Sequence, residues 1–461
     1  MAESNFSLQK TLTMLLDEKK YHSLRDILST MNPADIAAIF DDLDQARLPL
    51  LFRLLPKELA AETFVEMEPE AQELLIQGFS DSELKEVIDE LYVDDAVDIV
   101  EEMPANVVQR ILTQAEPDMR KQINEILRYP EDSAGSIMTT EYVSLRPNMT
   151  VEEAILRIRR TGIDKETIYT CYVTRGHKLI GLTSVKDLLL CEDDDATIES
   201  IMQEHVITVG TLDDKEQVAQ MFSKYNFLAL PVVDTENRLV GIVTFDDAMD
   251  VMEDEATEDM EIMGGMTPSD KTYLRSSTFD LFKHRIPWLM LLMVSATFTG
   301  LIITHFESAL AAQVALTAFI PMLMDTGGNS GSQSSVTVIR SLSLGEIEFS
   351  DLPRVVWKEI RVAVLCGVCL AAACFGKIML VDHLLLQNTS VTTTVALVVC
   401  ISMAMTVFMA KVVGSVLPLL AKKIGLDPAV MASPLITTIV DFLSLMAYFS
   451  VAVALLPQFR A

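Results

Sequence analysis

The chain has 461 residues, 50% of them hydrophobic, and a formal net charge of −30. The acidic residues are concentrated in residues 1–270, which hold 56 Asp and Glu against 23 Lys and Arg, whereas residues 271–461 hold 10 against 13. A front part with this much negative charge repels nucleic acid and anionic lipid and attracts cations, which excludes a nucleic-acid-binding function. Solubility alone would also explain the charge.

The cysteines, histidines and N-terminus carry little functional information. The six histidines show no metal-ligand spacing, which argues against a zinc site. Cys366 and Cys369 have the spacing of a redox motif, but they lie within an apolar segment, so a structural role is favoured. The N-terminal residues lack a basic stretch followed by an apolar core, so we expect no cleavable signal and a cytoplasmic front part.

Residues 31–128 repeat with a period of about twelve residues. Each unit opens with Pro, Ser or an acidic residue and then spaces its apolar residues three and four apart, which predicts a short capped helix. Helices this short bury their apolar stripe only by stacking on neighbours. We therefore predict an α-helical solenoid that occupies residues 1–128 as an N-terminal domain.

Residues 129–255 contain two similar segments, at about 137–200 and 201–255. Each continues from an Ile-Met pair into a helical pattern, an apolar strand, and a further strand that leads into a second helix. This order predicts a tandem β-α-β-β-α repeat, an α/β architecture. The last strand of each segment ends in the pattern Gly-x-x-Ser/Thr-x-x-Asp, formed by Gly181, Ser184 and Asp187 and again by Gly241, Thr244 and Asp247.

The tandem repeat with this strand-end pattern resembles a pair of cystathionine-β-synthase (CBS) domains. In that family the Ser/Thr and Asp can hold a nucleotide ribose, which implies ATP as a possible regulatory ligand. The alternative is that Ser184 and Thr244 only cap the helices that follow them. The matching candidate nucleotide ligands are Ser184, Asp187, Thr244 and Asp247.

The remaining residues predict a linker and a membrane domain. Residues 256–284 contain a Gly264-Gly265 break and an amphipathic segment, so we predict a connecting, plug-like helix there. Residues 285–461 are predicted to form a five-helix transmembrane domain, because a helix of roughly 20 apolar residues crosses a bilayer. The five spans lie at about 286–304, 311–339, 362–381, 391–420 and 429–457.

Basic residues mark one side of the predicted membrane domain. Lys283 and Arg285 precede the first span, and further Lys and Arg residues follow the second and fourth spans. The positive-inside rule therefore places the N-terminus in the cytoplasm and Arg460 outside, in a multi-pass protein. Because five helices rarely enclose a pore alone, we expect a homodimer.

The last span carries a carboxylate near its middle. Between Ala429 and Leu456, Asp441 is the only formal charge in 28 residues. A carboxylate there costs roughly 2.5–3.5 kcal/mol on insertion scales, so we expect it to face a pore or a partner rather than lipid. Since such a carboxylate attracts cations in a wet cavity, we interpret Asp441 as a pore residue of a cation pathway.

The second span contains a polar, glycine-rich stretch from Asp325 to Gln333. Its glycines weaken a helix, and its amides need partners within a membrane. We expect an opened helix lined by carbonyl and amide oxygens, which suits a hard cation that keeps some of its water. Close helix packing is the alternative explanation of the glycines. The predicted pore residues here are Gly328, Asn329, Gly331 and Gln333.

The polar stretch belongs to a longer motif. This motif matches the signature of the MgtE magnesium-transport family, and the order of the predicted domains resembles that family over essentially the whole chain. The resemblance implies a homodimeric, Mg²⁺-selective channel of the cytoplasmic membrane and no enzyme activity. The motif reads Pro321, six residues, Gly328-Asn329-x-Gly331-x-Gln333, six residues, Arg340.

The MgtE resemblance also implies site residues. Asp441 matches the Asp that binds hydrated Mg²⁺ in the pore, whereas Ser433 stands where some relatives carry Asn, which leaves the auxiliary pore contacts open. In the family, intracellular Mg²⁺ binds between the N, CBS and membrane domains and closes the pore. Asn226 stands where relatives can carry an Asp ligand, which weakens that part of the match.

The implied regulatory ligands include carboxylates three or four residues apart, which crowds like charges onto helix faces. Solvated surface charge is the alternative for any one of them. Gly135 would contribute its carbonyl. The implied metal ligands are Glu62, Asp94, Asp98, Gly135, Glu216, Asp247, Asp250, Glu255, Glu258, Asp259 and Asp427, in addition to Asp441.

Three other functions are alternatives at this point. A broader divalent cation channel would admit Mn²⁺, Co²⁺ or Ni²⁺, since oxygen ligands alone do not exclude these ions. A membrane metal or nucleotide sensor without transport would share the same cytosolic domains. A CBS-regulated anion channel is disfavoured, because Lys377 and Lys411 are the only Lys or Arg within the five predicted spans.

Overall fold

The computed structural model describes residues 2–41, 43, 46–269, 273, 276–385 and 391–456. The chain divides into two compact units, Met1–Met252 and Glu253–Ala461. Arg460 and the side chain of Ser433 lie outside the described residues, so the predictions that name them stay predictions.

The first unit begins with a series of short helices. Pro69 and Pro117 lie in the first turn of their helices, and the Ser80 hydroxyl accepts a hydrogen bond from the Glu83 amide at the start of another. The helices are α1 (Ala2–Asp17), α2 (Tyr21–Leu28), α3 (Pro33–Asp41), α4 (Leu48–Phe52), α5 (Lys57–Val65), α6 (Pro69–Gly78), α7 (Asp81–Ile88), α8 (Val93–Glu102), α9 (Ala105–Gln114) and α10 (Pro117–Ile126).

The apolar stripes of these short helices form one shared core. Leu24, Ile36, Leu75 and Ile123 are fully buried in it, although they lie on four different helices. Helices of this length are marginal in isolation, so stacking supplies most of their stability. The predicted α-helical repeat architecture is confirmed.

Two α/β halves complete the first unit. In each half the first strand pairs in parallel with the second, which pairs antiparallel with the third. The predicted tandem β-α-β-β-α repeat is therefore confirmed. Its elements are β1 (Tyr142–Leu145), α11 (Val151–Thr161), β2 (Thr167–Arg175), β3 (Lys178–Ser184), α12 (Val185–Leu190), α13 (Ile198–Ile201), β4 (Val209–Gly210), α14 (Lys215–Tyr225), β5 (Ala229–Val233), β6 (Leu239–Thr244) and α15 (Phe245–Met263).

The second unit contains the long apolar helices. They are α16 (Thr278–His305), the short α17 (Glu307–Ala312), α18 (Ile320–Ser343), α19 (Leu352–Lys377), α20 (Thr393–Lys423) and α21 (Ser433–Leu455). A π-helical segment, Ile378–Leu385, extends α19, and 3₁₀ turns at Val314–Phe319, Phe349–Asp351 and Pro428–Met431 precede α18, α19 and α21.

Four described helices are long and apolar enough to cross a membrane: Thr278–His305, Phe349–Leu385, Thr393–Lys423 and Pro428–Leu455. α18, with 24 residues, is about 36 Å long and would also span the hydrocarbon core. It falls outside that apolar set because its polar stretch lowers its hydropathy. In the described part of the second unit, five long helices occur where five spans are predicted, but the second of them carries a polar stretch.

Within residues 256–284 the described chain shows the end of α15 and the start of α16 rather than a separate connecting helix, while residues 270–272, 274 and 275 lie outside the described part. α15 runs without interruption to Met263, and Gly265, with a φ of 72°, follows its end. α16 then starts at Thr278, where the Ser277 hydroxyl accepts a hydrogen bond from the Asp280 amide. The amphipathic residues before the first span are therefore the first turns of α16, which continues through Pro287 into the apolar segment.

α18 is continuous through its glycine-rich stretch, so the expected opening of the helix there is wrong. The glycines instead allow close packing: a Cβ on Gly414 of α20 would overlap the carbonyl oxygen of Gly331 on α18. A Cβ on Gly327 would lie 2.6 Å from Thr406 Cγ2 and 2.9 Å from the Ser444 hydroxyl. Small residues thus bring α18 against α20 and α21 while its backbone hydrogen bonds stay within the helix.

This packing predicts the effect of a single methyl group. Gly414→Ala should destabilise the full-length chain by roughly 1–3 kcal/mol, because the new Cβ must displace the backbone of α18 rather than a flexible side chain. Thermal unfolding of the purified chain in detergent measures the change. Gly300→Ala on α16 is the matched control, since a Cβ there meets no atom within 4 Å. Equal unfolding temperatures for the two variants would contradict the packing argument.

Candidate metal sites

Two carboxylates of the second unit lie near each other on neighbouring helices. Asp441, on α21, is half-buried, and its Oδ1 atom is buried without a hydrogen-bond partner among the described residues. Asp325, on the adjacent α18, is close enough to interact with it as a like charge. Asp325 also accepts a hydrogen bond of 3.1 Å from the Asn329 amide. Two carboxylates at membrane depth form a strong attractant for a cation.

Three buried hydroxyl groups lie on the two helices that pack against α18. Ser402 and Thr406 of α20 and Ser444 of α21 each have a buried hydroxyl oxygen without a partner in the described part of the chain. Polar atoms in a membrane require partners, so these hydroxyls favour water or a hydrated ion nearby. The sequence analysis missed these residues. The sequence feature that could have identified them is helical spacing, since Ser402 and Thr406 are four residues apart and Ser444 follows Asp441 by three.

The predicted pore residues of α18 fall on two faces. Gly328 and Gly331 are buried, and the Cβ position of Gly328 lies 2.9 Å from Thr437 Cγ2 on α21. Asn329 and Gln333 are exposed on the opposite side, in line with Asp325, at intervals of four residues. The glycines therefore serve helix packing, and the amides with Asp325 form an exposed polar stripe.

A second pair of carboxylates lies elsewhere in the second unit. Asp259, in the last turns of α15, accepts a hydrogen bond of 3.3 Å from the Ser343 hydroxyl. Burial and the nearby Asp427 carboxylate raise the pKa of Asp259. Asp427 itself accepts a hydrogen bond of 2.7 Å from the Ala429 amide, which starts the turn before α21. Of the other predicted ligands on α15, Glu255 is half-buried and Glu258 is exposed.

The first unit holds a larger group of acids, which we call the acidic cluster: Asp94, Asp95, Glu141, Glu166, Asp246 and Asp247. The first turn of α8 supplies two of them, the residues before β1 and β2 supply two, and the first turn of α15 supplies two. The Val93 amide donates to a Glu141 carboxylate oxygen at 3.3 Å, which fixes α8 beside the sheet. The Glu166 amide donates to the Glu141 carbonyl at 3.0 Å, because β1 and β2 run in parallel.

Three members of the acidic cluster have the geometry of a metal-ligand set. Asp94, Glu141 and Glu166 each offer one carboxylate oxygen, and these three atoms lie within 4.8 Å of one another. The Asp94 Oδ1 and Glu166 Oε2 atoms are buried and have no hydrogen-bond partner in the described chain. Three convergent oxygens suit a hard divalent cation.

Crowding of the cluster disfavours its charged form. Burial, with the charges of Asp247 and Glu166, raises the pKa of Asp94 well above its usual range. Burial and neighbouring carboxylates also raise the pKa of Asp95 to about 7 and that of Glu166 to about 8. Burial raises the pKa of Asp247 to about 6, although hydrogen bonds from Thr244 oppose the shift. At neutral pH a divalent cation would relieve this repulsion.

The remaining predicted ligands of the first unit lie on several elements. Asp98 lies one turn beyond Asp94 on α8 and interacts with Asp247, and Asp250 lies one turn along α15 from Asp247. Their placement extends the acidic cluster, as the spacing predicted.

The other three predicted ligands of this unit lie on elements outside the acidic cluster. Glu62 is exposed on α5. Glu216, on α14, accepts a hydrogen bond of 3.1 Å from Gln220. The buried Gly135 donates its amide to the Thr211 carbonyl at 3.0 Å. Asn226 ends α14 with a left-handed φ of 55°, a conformation that Asn tolerates well.

The candidate nucleotide residues act as helix caps in this structure. The Ser184 hydroxyl donates to the Asp187 carboxylate at 2.7 Å and accepts from the Asp187 amide at 3.0 Å. The Thr244 hydroxyl likewise donates to the Asp247 carboxylate at the start of α15. The capping alternative is therefore correct for Ser184, and it does not conflict with a second role in nucleotide binding.

Asp95, Glu141, Glu166 and Asp246 are the members of the acidic cluster that the sequence analysis missed. Glu141 and Glu166 come directly before two apolar strands of the same half. Since the two strands are neighbours in a parallel pair, their starting residues lie side by side at one sheet edge. The position of the two residues directly before these strands was the sequence feature that could have identified them. Asp95 was overlooked because it directly follows Asp94, whereas ligands were expected three or four residues apart.

Repulsion in the acidic cluster predicts a stabilising substitution. The raised pKa of Asp95 means that the folded chain disfavours the ionised carboxylate, so at pH well above 7 neutral Asn should be better tolerated. In EDTA, Asp95→Asn should stabilise the first unit by about 1 kcal/mol. Mg²⁺ should shrink that gain, since the cation already neutralises the cluster. Thermal unfolding measures both effects.

The control for Asp95→Asn is Glu90→Gln, which removes an equal charge from an exposed position just before α8. It should change the unfolding temperature little in either buffer. A destabilised Asp95→Asn in EDTA would contradict the account of crowded carboxylates.

Comparison with known families gives matches along most of the chain. A model of the MgtE family described as a divalent cation transporter matches residues 320–451. A model of the MgtE intracellular N domain matches residues 31–132, and the CBS domain model matches residues 134–192 and 198–254.

Whole-length relatives are similar as well. A protein of Thermus thermophilus named magnesium transporter MgtE is 38% identical over 97% of this chain and 98% of its own length. Its namesake from Bacillus subtilis is 32% identical over 96% of both chains. Among solved structures, the cytosolic domain of the Mg²⁺ channel MgtE in complex with ATP is 38% identical, with a TM-score of 0.50 over 53% of this chain and 99% of that one.

Proposed function

We propose that this chain, which belongs to the MgtE family of divalent cation transporters, conducts Mg²⁺ across the cytoplasmic membrane and is closed by Mg²⁺ on the cytosolic side. The family matches and the two full-length relatives named as magnesium transporters support Mg²⁺ as the transported ion. The observation that carries the proposal is the pair of carboxylates, Asp325 and Asp441, on neighbouring helices of the membrane unit.

The groups around Asp441 suit Mg²⁺ because they offer only oxygen. Two carboxylates supply charge, and the hydroxyls of Ser402, Thr406 and Ser444 have unused hydrogen-bonding capacity. Mg²⁺ gives up its water reluctantly and is usually bound through one or two carboxylates. A hydrated ion would bind Asp441 directly or through water while the hydroxyls hold its remaining water shell.

Both basic residues within the predicted spans already have polar partners, which supports a cation pathway over an anion pathway. The Lys377 ammonium pairs with the Asp382 carboxylate at 2.8 Å. The buried Lys411 ammonium donates to the Ser334 hydroxyl at 3.4 Å, and that hydroxyl donates to Glu359 at 2.7 Å. Neither ammonium is available to attract an anion.

The exposed polar stripe on α18 supports a homodimer. Asp325, Asn329 and Gln333 lie in line on the surface of one chain, within a helix long enough to span the bilayer. Lipid would leave these groups without partners, whereas a second copy could enclose them around a wet pathway. In this arrangement the stripes of two chains line the pore.

The proposed topology follows from the distribution of basic residues. The N-terminus and the acidic first unit lie in the cytoplasm, and the C-terminus beyond α21 lies outside. Lys283 and Arg285 at the start of α16, and Lys422 and Lys423 at the end of α20, then face the cytoplasm.

Closure by Mg²⁺ rests on linkage. An ion that binds the closed arrangement more tightly than the open one shifts the population toward closed. Asp259 and Asp427 form one such site, in addition to the acidic cluster, and the further implied ligands Glu62, Gly135 and Glu216 would complete others. Glu255 and Glu258 would contribute from α15.

ATP is a proposed regulatory ligand of the CBS pair. The support is a similar cytosolic domain that was solved in complex with ATP. Here Ser184 with Asp187 and Thr244 with Asp247 would contact the ribose by exchanging their capping hydrogen bonds for bonds to the ligand. No hydrolysis is implied by such binding.

Mg²⁺ flux tests the proposed function. In liposomes that contain the full chain, Asp441→Asn should reduce the initial rate of Mg²⁺ uptake by tenfold or more, since roughly 1.4 kcal/mol of lost ion stabilisation corresponds to tenfold. The reason is that the amide keeps the shape of the side chain but removes the charge that holds the ion. A fluorescent Mg²⁺ indicator inside the liposomes reports the rate.

Glu307→Gln is the matched control for Asp441→Asn, because it removes a carboxylate from an exposed position between α16 and α18. It should leave the rate near that of the unmodified chain. Equal uptake of Mn²⁺, Co²⁺ or Ni²⁺ would favour the broader divalent channel, and no flux of any ion would favour a non-transporting sensor.

A further inference from the structure

We propose that a basic cavity at one end of the first α/β sheet binds a phosphate-bearing anion. The cavity has a volume of about 600 Å³ and lies wholly within the first unit. Three arginines line it, Arg146, Arg157 and Arg175, together with His177 and Glu199. This inference goes beyond the proposed transport of Mg²⁺ and does not depend on it.

The first observation is a local excess of positive charge in an acidic unit. Residues 146–178 hold seven Lys and Arg against four Asp and Glu, whereas residues 1–270 as a whole hold more than twice as many acids as bases. Solubility does not explain this excess, because the unit already carries a large net charge of the opposite sign. Arginines gathered around one cavity repel each other unless an anion lies among them.

The sheet separates this positive charge from the acidic cluster. Glu141 and Glu166 directly precede β1 and β2, which run in parallel. Arg146 directly follows β1, and Arg175 is the last residue of β2. At about 3.3 Å per residue, the nine steps from Glu166 to Arg175 span roughly 30 Å. Because this distance exceeds the Debye length of about 8 Å at physiological ionic strength, the acidic cluster does not prevent an anion from binding at the basic end.

The second observation is that two of the three guanidinium groups have no partner. Arg175 pairs with Glu199 at 2.7 Å, so these two charges neutralise each other. Among the described residues, no ion pair or side-chain hydrogen bond engages the guanidinium of Arg146 or of Arg157, although Arg157 is half-buried. A partly buried charge without a partner is costly, so an anion between these two groups is favoured. The cavity therefore offers two uncompensated positive charges.

The charge and the donors of the cavity match a phosphate dianion. A phosphate monoester carries about −1.5 to −2 at pH 7, which the two unpartnered guanidinium groups would neutralise. Arginine binds phosphate oxygens through two parallel N–H donors. The Ser144 and Thr174 hydroxyls also line the cavity and share one hydrogen bond of 2.9 Å, so one hydroxyl proton remains to be donated to the ligand. The volume falls in the range of roughly 300–1,000 Å³ that small-molecule sites occupy.

The basic cavity is separate from the candidate nucleotide residues of the same half. His177 lies in the turn before β3, whereas Ser184 ends that strand and Asp187 follows it. At about 3.3 Å per residue, the seven steps from His177 to Ser184 place the two ends of β3 roughly 20 Å apart. The two sites can therefore be tested with separate variants.

Arginine modification by phenylglyoxal, located by mass spectrometry on the full chain in detergent, tests the cavity. Inorganic phosphate should slow the modification of Arg146 and Arg157 relative to NaCl of equal ionic strength, because a bound dianion shields both guanidinium groups. At about ten times its Kd, phosphate should slow both rates roughly tenfold. Arg159 and Arg160, which are exposed on α11 and do not line the cavity, should react at unchanged rates.

Two variants test whether the arginines act together. Arg146→Gln should remove most of the protection of Arg157, since a single guanidinium group holds the dianion weakly. Arg159→Gln is the matched control, because it removes an equal charge from the same half without touching the cavity, and it should keep the protection.

Two phosphate esters distinguish the sources of the ligand. Stronger protection by glycerol phosphate in solution assigns the cavity to a soluble phosphate ester, and stronger protection by phosphatidic acid in mixed micelles assigns the same chemistry to a lipid headgroup. The proposal is overturned if phosphate and both esters leave the two rates unchanged, or if they slow Arg159 and Arg160 equally. It is also overturned if Arg146→Gln keeps the full protection of Arg157.

Discussion

Crowding of carboxylates is the physical constraint that shapes both units of this protein. In the membrane unit Asp441 stands near Asp325, and in the first unit Asp94 stands among other buried acids. Like charges at short range in a poorly solvated environment repel strongly. Each group therefore needs a counter-charge, and a hard divalent cation meets that need with the oxygen ligands present. In the proposed function the same ion is both the transported species and the ligand that holds elements of the first unit together.

Close helix packing makes the membrane arrangement possible. Gly331 and Gly414 bring the backbones of α18 and α20 into contact, and Gly327 makes room for Thr406 and Ser444. Without these small residues the three helices would separate, and the carboxylates would lose their shared surroundings.

The energetic demand of regulation is moderate. Shifting a gate from mostly open to mostly closed takes about 5.5 kcal/mol of differential binding, which several weak sites can supply together.

Much of this architecture could be predicted from the sequence, for physical reasons that particular residues make clear. The twelve-residue repeat and the Gly-x-x-Ser/Thr-x-x-Asp ends identified the solenoid and the α/β halves, because both signals are local. Whether α18 opens or stays continuous could not be predicted, since glycines are compatible with an opened helix and with close packing. The close approach of Gly414 and Thr437 on the neighbouring helices explains why the glycines serve packing here. Glu141 and Glu166 were missed because their proximity depends on the parallel pairing of β1 with β2, although their position directly before two apolar strands was a usable signal.

The central claim is that the conducted ion closes its own path. The measurement that tests it most directly is the open probability of the reconstituted full chain in a planar bilayer while Mg²⁺ is titrated on the side of the acidic unit. The account predicts that the open probability falls steeply through the millimolar range, and that NaCl of equal ionic strength has no such effect. An open probability that does not change as Mg²⁺ rises on that side would contradict the account.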